Sequence, residues 1–196
     1  MIRLLKSIKL RYPQIWHVIE ILNGLIISLL WNDKYWRSVD AITSYETSNG
    51  ITFKKCKSKD VSTLYSTLKA ISEDDKRYFM PFDFNEKSLR NIISTVTYQV
   101  YLAYEGESVC GFFFLRLFFN KKCFLGFWVM SNHRGRGIGK DMIRAMEKAS
   151  DILGFSLMST VNPDNTASLR AHFSAAPFYI VETLPNGDVV LRVKDK

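Results

Sequence analysis

"NHRGRGIGKDM", residues 132–142, lies between an apolar run ending at Met130 and a segment of helical periodicity from Ile138 to Leu153. A strand, a glycine-rich loop and a helix in that order leave several backbone N–H groups free at a helix N-terminus, where aligned peptide dipoles add partial positive charge. Such a junction is an anion site. Gly135, Gly137 and Gly139 allow positive φ and let a phosphate oxygen approach without meeting a Cβ, while Arg134, Arg136 and Lys140 add charge around it. No Asp or Glu occurs between Glu107 and Asp141, so nothing nearby in the chain opposes an anion. The alternative is a solvated basic turn whose glycines only cap structure.

Two familiar phosphate loops do not fit. A dinucleotide G-x-G-x-x-G would follow the first strand of a parallel sheet, and a P-loop would need Ser or Thr where Asp141 stands.

Outward from this loop, the pattern alternates strands and helices. "VYLAY", "VCGFFFLRLFF" and "KCFLGFWVM" are three strands joined by tight turns, an antiparallel meander that feeds the loop. Upstream, "ITFKKC" (51–56) reads as a strand and "SKDVSTLYSTLKAI" as a helix. The polar loop "SEDDKRYFMPFDFNEK" then leads to a helix from about Ser88 to Thr97. Downstream of the helix at 138–153 come a strand "FSLMSTV", a helix "NTASLRAHFSAA", and strands "FYIVET" and "VVLRV" joined by a Pro185-Asn186-Gly187 turn.

"VMSNHRGRGIGKDMI" resembles the acetyl-CoA signature of the GCN5-related N-acetyltransferases (GNAT), [RQ]-x-x-G-x-[GA], with Arg134, Gly137 and Gly139 in the fixed positions. The resemblance covers residues 46–196 and implies an α/β GNAT fold, a central mixed but mostly antiparallel sheet flanked by helices. It implies transfer of acetyl from acetyl-CoA to an amine. By the same resemblance, the N–H groups of Arg134, Gly135, Arg136, Gly137, Ile138, Gly139 and Lys140 hold the cofactor pyrophosphate. Val129 pairs with the pantetheine arm, and Asn162 and Asn165 contact the cofactor or shape a turn. Asn165 could equally be only a helix cap.

Two positions depart from the family. Where members often carry a Tyr that protonates the departing thiolate, counting from Asn165 gives His172, whose ordinary pKa of about 6.5 allows proton donation near neutrality. Tyr179 or solvent is the alternative. Where many members place a Glu on the strand before the signature, "KKCFLGFWVM" has none, so the base is water, His133, or one of Asp83, Glu73, Asp74 and Asp75. Asp83, in the aromatic loop "RYFMPFDF", is the expected acceptor-site carboxylate, against a reading in which the loop packs over the core and Asp83 starts a turn. The loop also resembles acetyltransferases acting on amino-sugar precursors of bacterial surface polysaccharides. A small-molecule amine, such as a nucleotide-linked amino sugar, is therefore the expected acceptor. A protein or peptide N-terminus, or a non-catalytic acyl-CoA-binding module, remains open.

Composition bounds these readings. The chain has 196 residues and 47% hydrophobic content, enough for one main core with an appendage. A formal charge of +8 suits an anionic partner, but no nucleic-acid recognition motif accompanies it. Three cysteines with no metal-ligand spacing point to a reducing, cytoplasmic compartment.

Residues 1–45 form a separate basic and apolar extension. Up to Ser38 it carries Arg3, Lys6, Lys9, Arg11, Lys34 and Arg37 against Glu20 and Asp33. Ile15, Val18, Ile19, Leu22, Leu25, Ile26, Leu29 and Leu30 follow the spacing of an amphipathic helix, with His17, Glu20, Asn23 and Gly24 on the other side. The apolar side is expected to pack on the main domain or in a homodimer. The alternative is that it lies on an anionic membrane surface, with Trp16 and Trp31 at its ends.

Overall fold

The computed structural model describes residues 13–194. Its centre is the meander: β2 (Tyr98–Glu105), β3 (Ser108–Phe118) and β4 (Lys122–Val129), paired antiparallel with Phe113 opposite both Tyr101 and Phe127. β3 is buried without interruption from Cys110 to Leu115, because helices cover both faces of the sheet and alternation loses its solvent side. Tyr101, Phe113, Leu115 and Leu117 enter one core with Ile27, Ile42, Ile143 and Met146. Val100, Leu102, Phe112 and Phe114 enter the other with Val61, Leu64, Leu68 and Leu89.

β1 (Ile51–Lys55) adds antiparallel to β2, and α2 (Val61–Lys69) follows a short 3-10 turn. Within the loop after α2, Ser72 caps a single helical turn, α3 (Glu73–Lys76). α4 (Glu86–Ser94) starts earlier than its apolar pattern suggests, because the Asn85 side chain accepts from the Ser88 N–H at 2.9 Å and caps it. α5 (Ile138–Leu153) links β4 to β5 (Ser156–Val161); α6 (Thr166–Ala175), β6 (Phe178–Thr183) and β7 (Val189–Val193) complete the chain. The seven strands are ordered β1-β2-β3-β4-β5-β7-β6, as a mixed and mostly antiparallel sheet.

The one parallel pairing among the described residues is short. β4 and β5 pair from Lys122 with Ser156 to Phe124 with Met158, after which β5 pairs only with β7. The sheet therefore opens between Leu125–Val129 and Ser159–Val161.

The N-terminal helix α1 (Pro13–Thr43) packs on the main domain, as expected, but its first half does so through the other face. Val18, Leu22, Leu25 and Leu29 face outward, with Leu29 80% exposed. Of the expected polar side, Glu20, Asn23 and Gly24 turn toward the sheet, while His17 is exposed. Asn23, 4% exposed, donates to the Leu117 carbonyl at 2.9 Å and accepts from the Phe119 N–H at 2.7 Å. Glu20 is ion-paired to Arg116. With its polar groups satisfied, the polar face can be buried, and Ile27 adds an apolar contact on that side. At Trp31 the backbone leaves helical geometry (φ −129°, ψ 16°), and the indole meets Phe155 edge-on at 5.3 Å. The second half then sends Tyr35, Val39 and Ile42 into the main core, so the extension shares the core of the rest. Arg3, Lys6, Lys9 and Arg11, and the side chains of Ile15 and Trp16, lie outside the described residues. No described helix is long and apolar enough to cross a membrane.

Candidate active site

Where β4 and β5 part, a cleft of about 1610 Å³ runs from the glycine loop to an aromatic end near the β3–β4 hairpin. A single small ligand typically occupies roughly 300–1,000 Å³, so this space suits two molecules end to end. One wall is the edge of β4 beyond Phe124, which β5 leaves unpaired and whose peptide groups can bond an extended ligand.

The glycine loop closes one end. Gly135 and Gly137 have φ of 77° and 81°, a region costly for any residue with a Cβ. At Gly139 a Cβ would stand 3.0 Å from the Phe127 ring. The first helical bond of α5 runs from the Asp141 N–H to the Gly137 carbonyl, so the N–H groups of Ile138, Gly139 and Lys140 form its open first turn. They line the cleft.

The arginines are not the free charges their spacing suggests. Arg134 donates through Nε to the Val129 carbonyl at 3.0 Å and through Nη2 to Asp75 at 2.6 Å, tying the loop to α3. Arg136 grips Glu105 with both terminal nitrogens, and His133 Nε2 lies 3.2 Å from the same carboxylate. The hydrogen bond from Arg136 holds Glu105 below its usual pKa. What the loop offers to the cleft is thus mainly backbone N–H groups rather than free arginine charge. Lys140 and Arg170, a cleft-lining residue of α6 that the sequence reading missed, have no carboxylate within ion-pair distance among the described residues. Only the helix register of α6 could have pointed to Arg170, since it faces the cleft with Ala167 and Ala171.

Asn162 and Asn165 both line the cleft but are engaged in shaping it. Asn162 donates to Asp188 at 3.0 Å and accepts from the Asp164 N–H at 3.0 Å; Asn165 caps α6 by accepting from the Ser168 N–H at 3.1 Å.

His172 also reaches the cleft wall, in a state that opposes proton donation. It is 1% exposed, with ring centroids 5.5 Å from Phe127 and 5.1 Å from Phe178. A carbonyl can only accept, so the bond of 2.8 Å between Nδ1 and the Ser168 carbonyl places the proton on Nδ1. Burial lowers the pKa to about 4, despite that carbonyl's opposing pull. Nε2 is buried with no partner and is a lone-pair acceptor. At pH 7 about one ring in a thousand would be protonated. The alternative, Tyr179, is not on the cleft lining.

The carboxylate that the structure brings to the cleft is not the one expected from the aromatic loop. Phe82 and Phe84 turn inward onto the core, Phe82 lying 5.5 Å from Phe114, so Asp83 between them points to solvent and does not line the cleft. Asp75 does line it. It accepts from Arg134 and, at 3.4 Å, from the Trp128 indole. Burial alone would raise its pKa, but the bond and charge of Arg134, with Trp128 and Ser72, outweigh this and hold it low. Asp75 remains an anion at neutral pH. Tyr78 and Phe79 follow it in the chain on the cleft lining, while Tyr98 and Phe124, both paired with Arg116 across the sheet, line the cleft further along with Lys122.

The acetyltransferase (GNAT) family profile matches residues 64–173. Comparison with curated protein sequences gives no significant match. Among solved structures, the fold is similar to that of PaiA N-acetyltransferase from Thermoplasma acidophilum in complex with coenzyme A (18% identity, TM-score 0.62, 74% of this chain and 99% of that one). It is similar to the ribosomal L7/L12 alpha-N-protein acetyltransferase RimL (14%, TM-score 0.64, 76% and 92%). It is also similar to aminoglycoside acetyltransferase AAC(6')-Ib with coenzyme A and kanamycin (14%, TM-score 0.58, 74% and 94%). With the family profile spanning more than half its length and the opened sheet and glycine loop in place, the chain belongs to the GNAT family of acetyl-CoA-dependent acyltransferases.

Proposed function

We propose that the protein acetylates a primary amine of a small molecule and that a nucleotide-linked amino sugar is the acceptor class that suits the cleft best. The observation that carries this reading is one continuous cleft joining a backbone phosphate cradle to an aromatic end, with Asp75 against the loop. Aromatic walls stack on a sugar face. Lys122 supplies charge for a diphosphate, and Asp75 draws the ammonium.

The N–H groups of the loop from Arg134 to Lys140, with the Lys140 and Arg170 side chains, would hold the phosphates of the donor. The open edge of β4 through Val129 would orient its pantetheine arm. Acetyl-CoA supplies an activated acyl group; the amine forms the new C–N bond as the C–S bond breaks, one proton leaving the nitrogen and one reaching the sulfur. Asp75, held ionised, orients the acceptor, and the ammonium proton passes through water in the cleft to bulk solvent. His172 offers Nε2 as an acceptor, so the thiolate takes its proton from solvent. Asn162 and Asn165 fix the turn that forms the opposite wall. The free thiols of Cys56, Cys110 and Cys123 fit a reducing, cytoplasmic compartment.

The test is free-thiol release from acetyl-CoA across a panel containing a nucleoside-diphosphate amino sugar, its unphosphorylated sugar, an aminoglycoside and a peptide N-terminus. Fastest turnover with the nucleotide-linked sugar is expected. Preference for the peptide would transfer the reading to protein N-acetylation, and CoA binding without turnover on any amine would make the chain a non-catalytic acyl-CoA-binding module.

A further inference from the structure

We propose that the outward face of α1 docks on an anionic lipid membrane. Val18, Leu22, Leu25 and Leu29, spaced four, three and four residues apart, form one stripe with exposures of 54, 52, 54 and 80%. Ile21 and Leu30 flank it at 49% and 67%. The stripe is about 16 Å long at 1.5 Å per residue. It cannot turn inward, because Asn23 and Glu20 on the opposite side are bonded to the hairpin. A contiguous aliphatic surface of this kind marks a contact site.

Charge selects the occupant. The chain has four bases and no acid before Glu20, namely Arg3, Lys6, Lys9 and Arg11, leading directly into the stripe. Glu20 is engaged by Arg116, and Asp33 lies 3.7 Å from Arg37. A second copy of this chain would bring the same charge of +8 to the contact. Anionic headgroups instead receive the bases while the acyl boundary receives the leucines. The helix would lie in the plane of the surface, since no described helix is long and apolar enough to span it.

Vesicle flotation of the full chain tests this, using phosphatidylcholine alone and phosphatidylcholine with about one-quarter phosphatidylglycerol. Wild type is expected to float with the anionic vesicles and at least about tenfold less with neutral ones. Leu25→Gln with Leu29→Gln is expected to reduce flotation by about tenfold or more. The melting temperature should stay within about 2 °C, because exposed positions are involved. Should that pair fail to fold, Leu29→Ser alone carries the same expectation of weakened flotation. Absence of wild-type flotation, or equal flotation of wild type and variants, overturns the proposal. So does a wild-type dimer in sedimentation velocity that Leu25→Gln with Leu29→Gln converts to monomer, which would assign the face to a second copy.

Discussion

Replacing Asn23 with alanine, side by side with Leu25→Ala, separates two ways in which α1 could be held. Asn23 satisfies the buried Leu117 carbonyl and the partly buried Phe119 N–H, at 2.9 and 2.7 Å. Leaving a buried polar group without its partner costs about 1–3 kcal/mol. With Phe119 at the low end because water can reach it, the loss sums to about 2–4 kcal/mol. For a chain of this size each kcal/mol moves the melting temperature by about 2–4 °C, so Asn23→Ala should melt of order 5–15 °C lower. Leu25 is 54% exposed, and its truncation should stay within about 0.5 kcal/mol, or roughly 2 °C. Had the apolar side packed inward, the order would reverse, since a buried Leu→Ala costs about 2–5 kcal/mol. Calorimetry on both variants decides. Amide hydrogen exchange adds a local readout, with the Phe119 N–H protected in wild type and released in Asn23→Ala. A larger loss for Leu25→Ala than for Asn23→Ala refutes the reasoning.

Other outcomes follow from the site. His172 has a folded pKa of about 4 against an ordinary 6.5, so the unfolded chain binds the extra proton between those values. Its contribution of roughly 3 kcal/mol is fully present above pH 6.5 and is lost as pH falls towards 4; His172→Phe should flatten that limb of a melting-temperature profile. Arg136→Ala should change CoA affinity less than about threefold, because Glu105 already neutralises the side chain. Lys140→Ala or Arg170→Ala should cost about tenfold, the value of a charge-assisted phosphate contact; titration calorimetry ranks the three. Asp75→Asn should raise the acceptor KM by about tenfold or more with little change in donor affinity, measured by steady-state thiol release.

The sequence alone carried the fold because local signals agreed: the three-strand meander, the glycine loop and α5 all form where their periodicity places them. What it could not carry were pairings across long sequence separations. Asp75 and Glu105 reach Arg134 and Arg136 from 59 and 31 residues away, which turned an apparent cluster of free bases into paired ones. Asn23 and Glu20 looked like a solvated face because their partners lie on a hairpin nearly a hundred residues later. Its aromatic setting favoured Asp83 over Asp75 in the sequence, and only the inward turn of Phe82 and Phe84 puts Asp83 outside. Counting from Asn165 did bring His172 to the cleft wall, but its protonation depends on Phe127 and Phe178, which helix spacing does not reveal.

The claim that the loop at residues 134–140 holds the donor through its backbone is tested most directly by titrating CoA into wild type and Gly137→Val. The φ of 81° at Gly137 opposes a β-branched residue and would displace the N–H groups beside it. Wild type should bind, and Gly137→Val should bind about a hundredfold more weakly while still unfolding cooperatively. Absence of binding by wild type, or undiminished binding by Gly137→Val, would contradict the account.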